Sequence, residues 1–224
     1  MKAKKKGGFL KILGLLLIVG ALALAVWNMH SENAANESSS LALQQLEKEI
    51  PESVRYVPVS EGAAGAYEAP IPEDEIEYPD YVLNPEMDMP VSRINGWDYI
   101  GVLEIPALGL SLPVMSTWSY PALNVAPCRY EGSAYTNDLI IAAHNFNCHF
   151  GQLKNLPEGS AVVFTDMAGN RFEYVSVLTE TLQPAAVEEM RSGGWDLSLF
   201  TCTVGGQHRV TVRCEEAVLP VEIK

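Results

Sequence analysis

Nineteen consecutive residues, Phe9 to Trp27, are apolar or glycine, with Lys11 the single exception. At about 1.5 Å rise per residue a helix of that length reaches roughly 28 Å, close to the hydrocarbon thickness of a bilayer. Lys11 sits near one end, where its ammonium can snorkel to the surface, and Trp27 sits where an interfacial aromatic belongs. Lys2, Lys4, Lys5 and Lys6 precede the run, and no acid occurs among the first 30 residues. The positive-inside rule then holds the amino terminus in the cytosol and exports everything after Asn28. A cleaved signal peptide is the rival reading, because Ala21-Leu22-Ala23 and Ala23-Leu24-Ala25 resemble small-residue cleavage sites. The apolar run continues past them through Val26, Trp27 and Met29, which favours a retained anchor. Residues 1–8 are thus expected to be a basic cytoplasmic segment and 9–29 a transmembrane signal-anchor helix.

The net charge of −13 hides an asymmetry. Five lysines lie within the first 30 residues, so the rest of the chain carries 10 basic and 28 acidic side chains. A body this acidic repels phosphate backbones, which argues against nucleic acid as a partner. With 48% hydrophobic residues the 224-residue chain is not disordered throughout, and four cysteines are too few for a disulfide-built scaffold.

Residues 30–94 read as an extracellular stalk. Ser31 to Ser40 is polar, and Leu41, Leu43, Leu46 and Ile50 have the spacing of one short helix. Beyond Pro51 the chain is rich in proline and acids (Pro70, Pro72, Glu73, Asp74, Glu75, Glu77, Pro79, Pro85, Pro90), a composition that stays extended. Asn84–Pro90 is the piece best placed to fold over a site as a lid. From 95 to 224 short β-prone runs alternate with turn residues. Strands are expected at Tyr99–Ile105, Leu112–Met115, Asp138–Ala143, Ala161–Asp166, Arg171–Leu178, Leu197–Cys202 and His208–Cys214, with Ala217–Ile223 a further candidate. Short helical pieces are expected at Phe150–Leu156 and Pro184–Arg191. Many short strands at near-regular spacing point to a mainly β barrel or sandwich.

Gly205-Gly206 is a two-residue hairpin signal between Leu197–Cys202 and the run after His208. With those glycines as the loop, Val204 opposes Gln207, Thr203 opposes His208 and Cys202 opposes Arg209. Opposed residues share a face with Cβ atoms about 5 Å apart. A guanidinium across from a cysteine favours the thiolate, which is the nucleophilic form. Arg213 would oppose Ser198, farther from the thiol. A cysteine nucleophile also needs a proton acceptor and donor, and histidine serves as both near neutral pH. His30 belongs to the membrane edge, and His208 points away from Cys202 in this register. His144 and His149 flank a polar patch after the strand ending at Ala143; His144, at the strand end in an Asn-containing loop, is the better choice.

Tyr99-Ile-Gly-Val-Leu-Glu-Ile-Pro106, Leu139-Ile-Ile-Ala-Ala-His144-Asn with Phe150-Gly-Gln-Leu153, and Leu199-Phe-Thr-Cys202 followed by Arg209-Val-Thr-Val together resemble a sortase, a membrane-anchored cysteine transpeptidase of Gram-positive surfaces. The resemblance covers about Asn95 to Glu216. It implies an eight-stranded mixed β-barrel with short helices, and it places the family's His, Cys and Arg on His144, Cys202 and Arg209. Thr201, Ser198 and Asn145 become substrate-binding positions around them. Ser198 stands where the family usually has Thr, and Asn145 follows the histidine as in some sortase classes only. The loop of about Thr179–Asp196 is short.

The implied reaction is cleavage of an LPXTG-like sorting motif in exported proteins through a thioester acyl-enzyme. Transfer to an amine of a peptidoglycan precursor or a pilin subunit completes it. Arg209 and a backbone N–H beside Cys202 would hold the oxyanion. No cofactor is called for, and calcium dependence stays open. The alternatives are a membrane-anchored cysteine hydrolase, with water as acceptor, and a non-catalytic surface β domain. A working Cys202 must stay reduced, leaving Cys128, Cys148 and Cys214 with at most one disulfide among them. His144, Cys148 and His149 lack the spacing of a standard zinc motif.

Overall fold

The computed structural model of the protein describes residues 4–51 and 78–217. Helix α1 (Lys4–Glu49) leads, and α2 (Asp80–Leu83) follows the undescribed stretch. Then come strands β1 (Ser92–Ile94), β2 (Trp97–Ile105) and β3 (Leu110–Met115), helix α3 (Tyr120–Leu123), and strands β4 (Cys128–Glu131), β5 (Leu139–Ala143), β6 (Ala161–Asp166) and β7 (Arg171–Leu182). Helix α4 (Val187–Arg191) and strands β8 (Leu197–Cys202) and β9 (Arg209–Glu216) complete the order.

Eight strands close into a mixed barrel in the order β2-β3-β4-β5-β8-β9-β7-β6, and β6 pairs back onto β2. The three-residue β1 extends the free edge of β2 as a hairpin. Closure needs Gly101: a Cβ there would lie 2.1 Å from the Thr165 carbonyl oxygen, so no larger residue lets β2 and β6 approach. The barrel interior is filled by Ile100, Leu103, Leu139, Ile141, Phe164, Leu197, Leu199 and Val212. All five residues of β5 are buried, as in a central strand paired on both edges, with β4 and β8.

Most expected strands are present. β7 runs four residues longer than the pattern suggested, and β1 and β4 had no clear alternation to announce them. The piece at Phe150–Leu156 is a single 3-10 turn, Leu153–Asn155. Ala217–Ile223 lies outside the described residues after Ala217, as do Pro70–Glu77.

The amino-terminal region differs most from expectation. α1 does not end near residue 29 but runs unbroken through the polar stretch to Glu49. Ala35, Ser39, Ala42 and Leu46 form one buried stripe at spacings of four, three and four, while Leu41 is exposed. Small side chains at 35, 39 and 42 let the helix lie close against the barrel, where Ala42 and Leu46 pack with Ile94, Tyr99, Val102 and Met115. A stripe of alanine and serine reads as a spacer in sequence because its apolar content is low. Residues 84–90 likewise do not cover the cleft described below. Met87 and Met89 pack on the barrel core, near Tyr81, whose ring stacks on Tyr135 at 4.6 Å.

Candidate active site

β5 and β8 run parallel, with Ala143 level with Thr201. The next residue on each, His144 and Cys202, therefore leaves the sheet at the same height on neighbouring strands. β9 returns antiparallel to β8 and sets Arg209 opposite Cys202, the register expected from the Gly205-Gly206 loop. All three side chains line one cleft of about 220 Å³. Its floor is the outer face of the sheet, with Ala142, Phe200 and the Cys202–Arg209 pair. One wall is the segment leading into α4, with Gln183, Pro184, Val187 and Met190. The other is aromatic: Trp118, Tyr120 and Tyr130 form a chain of rings reaching Phe200, with centroids 5.3–6.0 Å apart.

Cys202 is half-buried and free, like the other three cysteines. Burial pushes the thiols of Cys128 and Cys214 up to about 12, which keeps them protonated and inert. Burial also raises the Cys148 thiol, with the nearby Glu32 adding to it. Cys202 is thus the thiol that opens into the cleft. His144 is half-buried with its ring 5.0 Å from that of Phe146, and burial lowers its pKa from the ordinary value. A neutral imidazole suits a proton acceptor. Arg209 donates from Nη1 to the carbonyls of Gly206 and His208, both at 3.2 Å, so the hairpin itself orients the guanidinium. Among the described residues no carboxylate forms a salt bridge with it.

The three positions expected to contact substrate are not in the cleft lining. Thr201 points to the opposite face from Cys202, and its hydroxyl donates to the Ala143 carbonyl at 2.8 Å, locking β5 to β8 at the site. Ser198 shares the face of Cys202 but is covered: its Oγ accepts from Arg213 at 2.8 Å. Asn145 is exposed on the loop beyond His144. The N–H following Cys202, that of Thr203, already donates to the His208 carbonyl at 3.0 Å. His208 does not line the cleft, and His149 is fully buried. Among the described residues no cluster of three His, Cys, Asp or Glu side chains is arranged to hold a metal.

Periodicity did not mark the aromatic wall, and the hairpin register gave Arg213 only as the residue opposite Ser198, not as a clamp. Trp118 comes from the loop before α3, Tyr120 from α3 and Tyr130 from β4. Arg213 is 1% exposed and forms an ion pair with Glu180 at 2.7 Å. It also donates to the Met190 and Glu189 carbonyls at 2.8 and 2.7 Å, fastening the α4 wall to the barrel.

The sequence matches the family description of a sortase domain over residues 103–217. No curated protein is significantly similar to the chain. Among solved structures, sortase C1 of Streptococcus agalactiae is 23% identical, with a TM-score of 0.50 over 57% of this chain and 72% of that one. A group B Streptococcus pilus island 1 sortase C2 is 24% identical, with a TM-score of 0.49 over 53% and 74%. Sortase C from Clostridium perfringens SM101 is 22% identical, with a TM-score of 0.48 over 55% and 71%.

Proposed function

The chain belongs to the sortase family of cysteine transpeptidases, and from that premise we propose that it cleaves an LPXTG-like sorting motif of exported proteins and joins them to an amine of the cell wall or a pilin subunit. The observation that carries this reading is the convergence of Cys202, His144 and Arg209 on one cleft from three adjacent strand ends.

His144 takes the proton of the Cys202 thiol, and the resulting thiolate attacks the scissile carbonyl carbon. The carbonyl oxygen takes the negative charge, and the Arg209 guanidinium stabilises it. Because the Thr203 N–H is already engaged, Arg209 supplies more of this stabilisation than a two-donor oxyanion hole would require of it. Protonated His144 gives its proton to the departing amine as the C–N bond breaks, leaving a thioester on Cys202. An incoming amine then attacks the thioester, His144 takes up its proton, and the C–S bond breaks to release the joined product. The apolar walls of Val187, Met190, Tyr130 and Phe200 suit the apolar residues of an extended peptide.

Helix α1 is long and apolar enough to cross a membrane. With its lysines in front, the reading places the amino terminus in the cytosol and the barrel outside, where exported proteins and wall precursors meet.

Incubation with LPXTG-like peptides followed by mass spectrometry tests the assignment. A covalent adduct at Cys202 is expected, and Cys202→Ala removes it. An adduct that survives Cys202→Ala rejects the assignment. With an added amine, ligated product exceeding hydrolysed product separates a transpeptidase from a hydrolase.

A further inference from the structure

The helix that crosses the bilayer also touches the loop that follows His144. Glu32, on α1, accepts the Asn147 backbone N–H at 2.7 Å through Oε1, and its carbonyl accepts the Cys148 thiol at 3.7 Å. Glu32 lies five residues beyond Trp27, the interfacial aromatic, which is about 7.5 Å of helix. The interfacial layer on each side of the hydrocarbon is about 5–8 Å thick. No break occurs in α1 between the two points, since the helix is continuous from Lys4 to Glu49. The loop held by Glu32 therefore stands at the outer edge of the headgroups.

The composition of that surface fits the placement. The body beyond residue 30 is strongly acidic, yet Leu139 to Pro157 contains no Asp or Glu. The exposed residues there are Asn145, Asn147, Gln152, Lys154, Asn155 and Pro157. Asn147, Gln152 and Asn155 form a chain of amide hydrogen bonds at 2.9 and 2.7 Å. An amide surface with one lysine can lie against headgroup phosphates, where the carboxylates of the remaining surface would be repelled.

We propose that residues 145–155 form a membrane-facing surface that rests on the lipid headgroups, so that the His144 side of the cleft opens at the bilayer surface. The barrel is not a tethered body free to swing: α1 fixes its height and tilt through the Ala35, Ser39, Ala42 and Leu46 stripe. This placement rests on α1 spanning the membrane, as read above, and is independent of the chemistry at Cys202.

The full-length chain in phosphatidylglycerol-containing vesicles provides the test. In a Cys148→Ser, Cys202→Ser background, nitroxide labels are placed at Asn145→Cys, Ala168→Cys and Ala21→Cys. Ala168 neighbours Gly169, which abuts Pro51 just past the far end of α1, about 25 Å of helix above Glu32. Power-saturation EPR then compares collision with a water-soluble nickel chelate. The expected result is a several-fold lower collision rate at 145 than at 168, with 21 deeper than both. A flexible Gly-Ser insertion between His30 and Ser31 should raise the rate at 145 to that at 168. Equal rates at 145 and 168 with 21 deep overturn the headgroup contact while leaving the anchor intact. A water-exposed label at 21 overturns both.

Discussion

His149 is fully buried, and neither ring nitrogen finds a partner among the described residues. Burial first, then the neighbouring His144, pushes its pKa down to about 4, with Glu32 opposing. The unfolded chain takes up this proton near the ordinary value of 6.5, whereas the folded one resists until near 4. Stability is therefore intact above pH 6.5 and falls as the pH drops through this window, by roughly 3 kcal/mol. His149→Phe should flatten that acid limb in urea titrations at pH 4.5 and 7; an unchanged slope removes His149 as its source. At the proposed catalytic centre, His144→Ala is expected to lower kcat by about 10²–10⁴-fold. Arg209→Ala should lower it by about 10²–10³-fold, and single-turnover thioester formation measures both. These two residues were visible in the sequence because the Gly205-Gly206 turn sets a register and a strand end marks a loop. Ser198 and Thr201, which the family resemblance put around the substrate, lie outside the cleft lining, because a shared motif marks a position but not what covers it. Arg213 covers one, and Thr201 turns inward to Ala143.

Arg213 binds three elements at once: β7 through Glu180, β8 through Ser198 and α4 through two carbonyls. Arg213→Met leaves these acceptors unpaired and should cost about 3 kcal/mol, toward the lower end for a buried pair because Glu180 is 31% exposed. It should also loosen the wall formed by Val187 and Met190, raising KM for a sorting peptide more than it lowers kcat. A fall in apparent kcat with KM unchanged would instead point to global unfolding. Helix α1 offers the complementary test. Ala35→Leu inserts bulk into a fully buried contact and should cost about 1–3 kcal/mol, read from thermal unfolding in detergent.

At the scale of the whole molecule, an acidic barrel packs against a helix long and apolar enough to cross a membrane. A membrane-impermeant thiol reagent applied to intact cells is expected to label Cys202, while Cys128 and Cys214 stay unmodified until denaturation. Absence of labelling in intact cells, with labelling after lysis, reverses the orientation. The long apolar helix, the hairpin with Cys202 opposite Arg209, and the β character of the domain were all legible from the chain alone, because each depends on residues close in sequence. A hydrocarbon-length apolar run, a Gly-Gly turn and an alternating strand are local signals. The juxtaposition of His144 with Cys202 is not: 58 positions separate them, and only the parallel pairing of β5 with β8 brings them level. The burial of Arg213, the aromatic wall and the docking of α1 on the barrel likewise depend on which surfaces meet after closure. Packing between distant segments carries no periodic signature in either partner, so the tertiary structure alone decided them.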